Sequence, residues 1–472
     1  MWLVCILDYS GVGLTIKSIQ HKVYGIPKKS KLRLAKREGL ETNIEPPQTI
    51  RRHVQNRIAA RVPFFYGWII LPVVLAIQVS SSPGQTFGVS IFNPYIRAEL
   101  GLSHSEISGA YMLGTLLASL PMVYVGSLMD RHGPRRVLIG VVALFGLTCV
   151  GVSQVAGLFT VFVSFLFLRM LAQGSMGLLT SNSVAMWFNR RLGLAVGIVS
   201  TGSALAMGMV PTLNHWLIQA VGWRWAYALL GVGVVCAILP LLVFVFRNRP
   251  EDVGQRPDGR RAESRDGAGA PAVEKAHDLA FAVRTRAYWI MAVTVALPAM
   301  IITGIHFHAV QIYLDIGMAE TDAVGMFTVF AAASAGSMLL GGIMADRLPL
   351  NLLLSGSMIG ISCGIWLLTQ IHSPLTSAFF AVSLGVGQGT FMAVRSTLWL
   401  RYYGRAHLGK IRGTLTTVEV AASSTGPLLM GLAHDFFGSY NGILTVFASI
   451  TAPMVLVTLF ATPPKEKSPV EA

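Results

Sequence analysis

The chain has 472 residues, 53% of them hydrophobic and 12% charged, with a formal net charge of +15 at pH 7. A soluble domain carries about 25% charged residues, so this chain lacks the charge to cover a water-facing surface, and a soluble globular fold is excluded in favour of a bilayer. The positive charge admits a nucleic-acid partner on its own, but its placement along the chain argues against one.

The first segment, residues 1–65, is expected to be a disordered cytoplasmic tail. Met1 to Ile16 is partly apolar, but no basic region precedes it and Asp8 interrupts it, which makes a poor signal peptide. Residues 17–62 are rich in Lys and Arg and contain Pro46 and Pro47. A start codon set too early is the other reading of this tail.

A helix needs about 20 mostly apolar residues to cross the hydrocarbon core. Such runs occupy 66–92, 104–128, 137–155, 158–186, 192–217 and 224–246, then 285–311, 322–344, 350–371, 375–400, 411–433 and 440–461. The runs are continuous, whereas barrel strands are short and alternate. The expected fold is therefore all-α, with twelve transmembrane helices. Ser103 and Glu106 read as a capping box at the start of the second span. The polar stretch from Arg247 to Thr285, with Pro250, Pro257, Gly259 and Gly267, separates six spans from six. The expected organisation is a six-helix bundle over 66–246, a cytoplasmic linker over 247–284, a second bundle over 285–461 and a cytoplasmic tail over 462–472.

Of 37 Lys and Arg residues, 33 fall in the two tails and in or beside the even-numbered connections. The odd-numbered connections hold only Arg97 and Arg224, and Arg169 and Arg395 lie within spans. By the positive-inside rule both termini are cytoplasmic. The charge is then a topology signal, and no nucleic-acid partner is expected. The four cysteines (Cys5, Cys149, Cys236 and Cys363) are far apart and show no CxxC spacing, so they read as buried thiols with no metal or disulfide role.

The halves resemble each other at a fixed offset. Gly126, Asp130 and Arg131 recur 216 positions later as Gly342, Asp346 and Arg347. The same offset takes Leu192, Gly193, Gly197, Thr201, Pro211 and Gly222 to Leu408, Gly409, Gly413, Thr417, Pro427 and Gly438.

The stretch Gly126 to Arg136, with Asp130, Arg131, Gly133 and Arg135, resembles the signature between helices two and three of the major facilitator superfamily; Asp346 and Arg347 close a weaker second copy. That resemblance implies two six-helix bundles with a substrate cavity between them, and a gate at the signature that stabilises the outward-facing state. Tyr66-Gly67-Trp68, Phe87-Gly88-Val89, Trp187 to Arg191, Arg249 to Gly254, Tyr402 to Arg405 and Gly426-Pro427 further resemble the monocarboxylate and oxalate–formate branch. The branch implies organic-anion transport by analogy. Two departures weaken it. Gln85 stands where those carriers commonly place a Lys, and the eighth span lacks their intramembrane Asp and Arg.

Charged residues at mid-bilayer are costly, so the few present are informative. Arg169 can bind an anionic group or tie helices through backbone carbonyls. Arg395 can snorkel to the interface or pair with Glu419, either as a structural ion pair or as a proton-coupling pair. His306 and His308 cannot face one point on a helix, so a metal pair is not expected there, though one can titrate in a cavity. Ser80 to Thr86, with Pro83 and Gly84, reads as a broken or kinked helix. The candidate substrate-binding residues are Gln85, Arg169, Gln173, Asn182, His306 and Gln388. The candidate coupling residues are Glu419, Arg395 and His308. Gly385 to Gly389 mimics a nucleotide loop without a preceding strand and is set aside.

The expected function is secondary transport of a small organic solute by alternating access in a bacterial inner membrane, by a monomer, with a proton as possible co-substrate. An organic anion such as a monocarboxylate and a neutral heteroaromatic solute such as riboflavin both remain open. A transporter-like sensor is the reading from another class. No enzyme activity, cofactor or metal is expected, because no paired carboxylates, nucleophile triad or metal cluster is visible.

Overall fold

The computed structural model describes residues 64–189, 191–259, 278–345, 347–403 and 408–464, so the tails, most of the linker and Asp346 lie outside the described residues. Among those described, every regular element is helical. Twelve spans follow in order. α1 comprises Gly67–Ser80, a break, then Thr86–Ser90; the short helix Asn93–Leu100 follows beyond the span. α2 joins His104–Ala118 to Met122–His132, α3 is Pro134–Val152, and α4 runs from Leu158–Leu168 through widened π turns at Arg169–Met176 to Gly177–Trp187. α5 and α6 share Leu192–Pro240, divided where Gly222 turns the chain. α7 is Arg286–Phe307 with Ala309–Asp315, α8 Glu320–Ala345, α9 Leu350–Leu368, α10 Pro374–Tyr403, α11 Leu408–Phe437, and α12 Asn441–Thr451 with Met454–Leu459.

Nine helical stretches among the described residues are long and apolar enough to cross a membrane, and one of them, Leu192–Val245, holds both α5 and α6. The other two spans fall short for visible reasons. α2 is interrupted at Ser119–Pro121, and α11 carries Glu419 in its interior.

The ends are set by local chemistry. The Ser103 hydroxyl accepts from Glu106 N at 3.1 Å while the Glu106 carboxylate accepts from Ser103 N at 2.8 Å, closing the expected capping box. The repeat reappears in the backbone. Gly101 and Gly317 both have positive φ, as do Gly222 and Gly438, each pair 216 residues apart. A left-handed turn of this kind favours glycine because a Cβ is strained there.

The halves pack α2 against α11 and α5 against α8. The surface is apolar: Trp216, Trp225, Phe436 and Phe437 stand exposed near one end, with Phe64, Trp289 and Phe460 near the other. Water disfavours such rings, whereas a bilayer interface holds them as aromatic belts. The expectation of buried thiols needs correcting: Cys149 is buried, but Cys236 and Cys363 are exposed on helix faces, and Cys5 lies outside the described residues. Hydrophobicity in the sequence does not separate packing against protein from packing against lipid.

Candidate functional site

Pro83 has no N–H, and the turn Ser82–Gly84 interrupts α1, which frees backbone carbonyls inside the bundle. Side chains from three other helices meet carbonyls in and just after this break. The Tyr227 hydroxyl of α6 donates to Pro83 O at 3.1 Å, and Asn214 Nδ2 of α5 donates to Gly88 O at 3.3 Å. Arg169 Nη1 of α4 reaches Gly84 O at 3.4 Å, and its Nε donates to Thr115 Oγ1 of α2 at 3.2 Å. Tyr111 lies under the Arg169 guanidinium, 5.0 Å from the ring centre, and its hydroxyl meets Thr86 Oγ1 at 2.7 Å. The buried cation is thus balanced by a carbonyl, a hydroxyl and a π face. Arg169 ties α1, α2 and α4 together at the break.

Below the break a polar set continues within the first half. Gln78 Nε2 donates to Thr180 Oγ1 at 3.2 Å, and Ser203 Oγ donates to Gln78 Oε1 at 2.7 Å. Gln85 is partly buried and donates to Ser81 Oγ at 3.1 Å. Gln173 sits in the π turns of α4 with its side chain exposed, away from this network. Asn182 is partly buried and lies 3.7 Å from the Met129 sulfur of α2. Gln78, Thr180 and Ser203 were missed at the level of sequence; lone polar residues in apolar runs were the only available signal.

In the second half, His306 is buried among Phe327 and Phe330 of α8, with ring centres at 5.3 and 4.9 Å. Its Nε2 and the Gln388 Oε1 of α10 are buried with no hydrogen-bond partner among the described residues. Such orphans are costly and mark places where water or a ligand is needed. Arg395 Nη1 of α10 donates to Glu419 Oε1 of α11 at 2.6 Å, each side chain about a quarter exposed. Among the described residues Glu419 is the one carboxylate well inside a span.

Apart from the Thr328–Gly208 bond between α8 and α5, the bonds joining the halves among the described residues lie at the end opposite residues 64 and 464. Asn93 Nδ2 donates to Phe307 O at 3.1 Å, Arg97 Nη2 to Gln311 Oε1 at 2.9 Å and the Tyr95 hydroxyl to Glu320 Oε2 at 2.6 Å. His215 Nδ1 lies 3.1 Å from Glu320 Oε1 without hydrogen-bond geometry. His308 is buried at this junction. Its Nδ1 meets the Tyr440 hydroxyl at 2.9 Å, and its Nε2 meets Pro427 O at 2.9 Å and Ser108 Oγ at 3.1 Å. His104 meets the same Tyr440 hydroxyl through Nδ1, also at 2.9 Å. Tyr111, Phe165 and Phe307 pack together beneath, forming an aromatic floor.

The opposite end carries the signature residues. Gly126 is partly buried, while Asp130, Arg131 and Arg347 are exposed and Asp346 lies outside the described residues. Asp130 makes no hydrogen bond or ion pair among the described residues. Gly133 has φ +78°, and a Cβ there would come within 2.9 Å of the Asn248 amide. Arg135 Nε donates to Leu242 O at 2.9 Å, its Nη2 to Val243 O, and its backbone N to Asn248 Oδ1 at 2.9 Å. The α2–α3 turn thereby caps the last turn of α6. Residues 250–259 fold back onto the first half, where Gln255 bonds both Tyr66 N at 2.8 Å and Phe64 O at 3.2 Å. The Tyr66 hydroxyl donates to Val245 O at 2.7 Å.

Comparison with known proteins agrees with this arrangement. The family model for the Major Facilitator Superfamily matches residues 74–378 and 293–472. An MFS-type transporter of Gibberella moniliformis is 23% identical over 389 residues, covering 79% of this chain and 88% of the relative. Monocarboxylate transporter 2 of Mesocricetus auratus is 24% identical over 402 residues, covering 80% of each. A solved bacterial homolog of the human lysosomal transporter Spinster, in an inward-facing and unoccupied conformation, superimposes with a TM-score of 0.60 at 14% identity, covering 84% of this chain and 95% of that one.

Proposed function

The chain belongs to the Major Facilitator Superfamily, a multi-pass membrane transporter family, and from that premise we propose that it moves a small organic anion of the monocarboxylate class, together with a proton, by alternating access. The Arg395–Glu419 pair carries this reading. While Glu419 is ionised, it occupies Arg395. Protonation of Glu419 removes the competing charge and frees the guanidinium for a substrate carboxylate. Substrate and proton then bind in a mutually dependent way, which is the linkage a symporter needs. The name of the hamster relative, a monocarboxylate transporter, supports the same substrate class.

In this reading the positive tails face the cytoplasm of a bacterial cell with the protein in its inner membrane. The bonded end of the two halves is then the outer gate, shut in this structure. The exposed Asp130 and Arg131 belong to a cytoplasmic side that engages only when the protein faces outward. His306 and Gln388, with buried polar atoms lacking partners, are the uncharged contacts proposed for the substrate body.

One observation favours a second reading. Arg169, the most buried cation among the described residues, is committed to the α1 break, and the neighbouring polar set of Gln78, Thr180 and Ser203 is uncharged. That suits a neutral heteroaromatic solute such as riboflavin. Uptake into proteoliposomes with an imposed pH gradient separates the two. The proposal expects accumulation of short aliphatic or aromatic monocarboxylates that collapses with a protonophore. Riboflavin uptake indifferent to pH, with no monocarboxylate flux, would overturn it.

A further inference from the structure

We propose that His104, His434 and Asp435 form a site for a divalent transition-metal ion of the zinc class, shared between the two halves and assembled only when the bonded end is closed. His104 is the first residue of α2, in the first half; His434 and Asp435 lie near the end of α11, in the second. One ligand atom from each lies within 4.8 Å of the others, and the two imidazole rings are 3.9 Å apart.

The hydrogen bonds around the cluster decide which nitrogens are available. Pro427 O can only accept, so His308 Nε2 carries its hydrogen. In the neutral ring His308 Nδ1 is then an acceptor, and the Tyr440 hydroxyl donates to it. The Tyr440 oxygen must therefore accept from His104 Nδ1, which leaves His104 Nε2 as a bare lone pair. On the other side, His434 Nε2 meets Asp315 Oδ2 at 2.8 Å. The carboxylate accepts, so in the neutral ring His434 Nδ1 is bare as well. Two imidazoles each present a lone pair, and each is oriented by an oxygen on its far nitrogen. Metal-binding histidines are commonly held in this way.

Asp435 supplies the third donor. Its two oxygens accept from His104 N at 3.1 Å and Ser105 N at 2.7 Å, which fixes the carboxylate beside the rings and leaves further lone pairs. Two imidazoles and a carboxylate suit a tetrahedral ion with a fourth position open to water. Zinc–nitrogen bonds of about 2.0–2.1 Å require donors closer together than here, so modest side-chain rotation completes the shell.

The ligands come from both halves, so an ion bound by all three favours the closed end over the open one. A ligand shifts such an equilibrium by the ratio of its affinities for the two states. The proposed ion therefore slows cycling.

The test titrates the purified full-length chain, free of any histidine tag, with zinc, and with cobalt for its absorption spectrum. The expected result is one ion per chain, a cobalt spectrum of tetrahedral intensity, and affinity reduced at least tenfold in His434→Gln and in Asp435→Asn. Asp435→Asn retains an oxygen able to accept from the backbone, and both variants must elute as the parent does. His372→Gln, at an exposed histidine elsewhere, should bind as the parent. Either no zinc binding, or parental affinity in both site variants, would overturn the proposal. A proton shared between the two rings would give the first of these results.

Discussion

Gly431 of α11 lies so close to α2 that a Cβ added there would stand 2.6 Å from the carbonyl oxygen of His104. The two residues belong to different halves, and the missing side chain lets the helices touch at the shut end. Gly208 of α5 does the same against α8, where the Thr328 hydroxyl donates to Gly208 O at 2.9 Å. Small residues at helix crossings allow this approach in membranes.

Gly431→Ala should therefore weaken the closed end, because the clash is with backbone and cannot be relieved by a side chain. A cysteine placed at the buried Ser90, behind that end, should react several-fold faster with a polar maleimide in the Gly431→Ala background. Equal rates would show that the halves do not part at this crossing.

Arg169→Ala should destabilise the protein rather than only weaken substrate binding. Removing the guanidinium strands the Gly84 carbonyl in the interior, at a cost of about 1–3 kcal/mol. Thermal unfolding in detergent should show the loss without any substrate present. An unchanged melting temperature would mean that Arg169 is not needed to hold the break.

Glu419→Gln should uncouple transport from protons. The neutral amide mimics the protonated acid, so substrate exchange across proteoliposomes should persist while pH-driven accumulation disappears. Arg395→Ala should lose both. Accumulation by Glu419→Gln at the parental level would remove this pair from the coupling step.

Hydrogen bonds from Arg224, then from the Trp223 indole, hold the Glu99 carboxyl below its ordinary value of 4.5. A carboxyl lowered by folding adds stability that is present above its unfolded pKa and is lost as pH falls through the folded one. The pair is well exposed, so the effect is modest. Melting temperature should fall on acidification below 4.5, and Glu99→Gln should be less stable above that pH with a flatter profile beneath it. Parallel profiles would contradict this role for Glu99.

Much of this architecture is legible in the sequence because lipid imposes it one helix at a time. Continuous apolar runs, the cap at Ser103 and the turn glycines Gly222 and Gly438 are local signals, each with a local cause. The weakness at Pro83 is legible in the same way. What fills it is not, since Tyr227, Asn214 and Arg169 arrive from three other helices. The Arg395–Glu419 pair was accessible because few charges lie in the spans, which leaves few ways to pair them. The cluster of His104, His434 and Asp435 was not, because residues 331 positions apart meet only once the halves close.

The central claim is that the two halves must part at the bonded end for solute to pass. Arg97 and Gln311 face each other across that end, 2.9 Å apart at their tips. With the native cysteines removed, Arg97→Cys and Gln311→Cys can be bridged by a short bis-methanethiosulfonate, which forms a mixed disulfide with each thiol and releases methanesulfinate, and assayed for monocarboxylate uptake in proteoliposomes. Bridging should abolish uptake and reduction should restore it, with either single cysteine indifferent to the reagent. Undiminished uptake by the fully bridged protein would contradict the account.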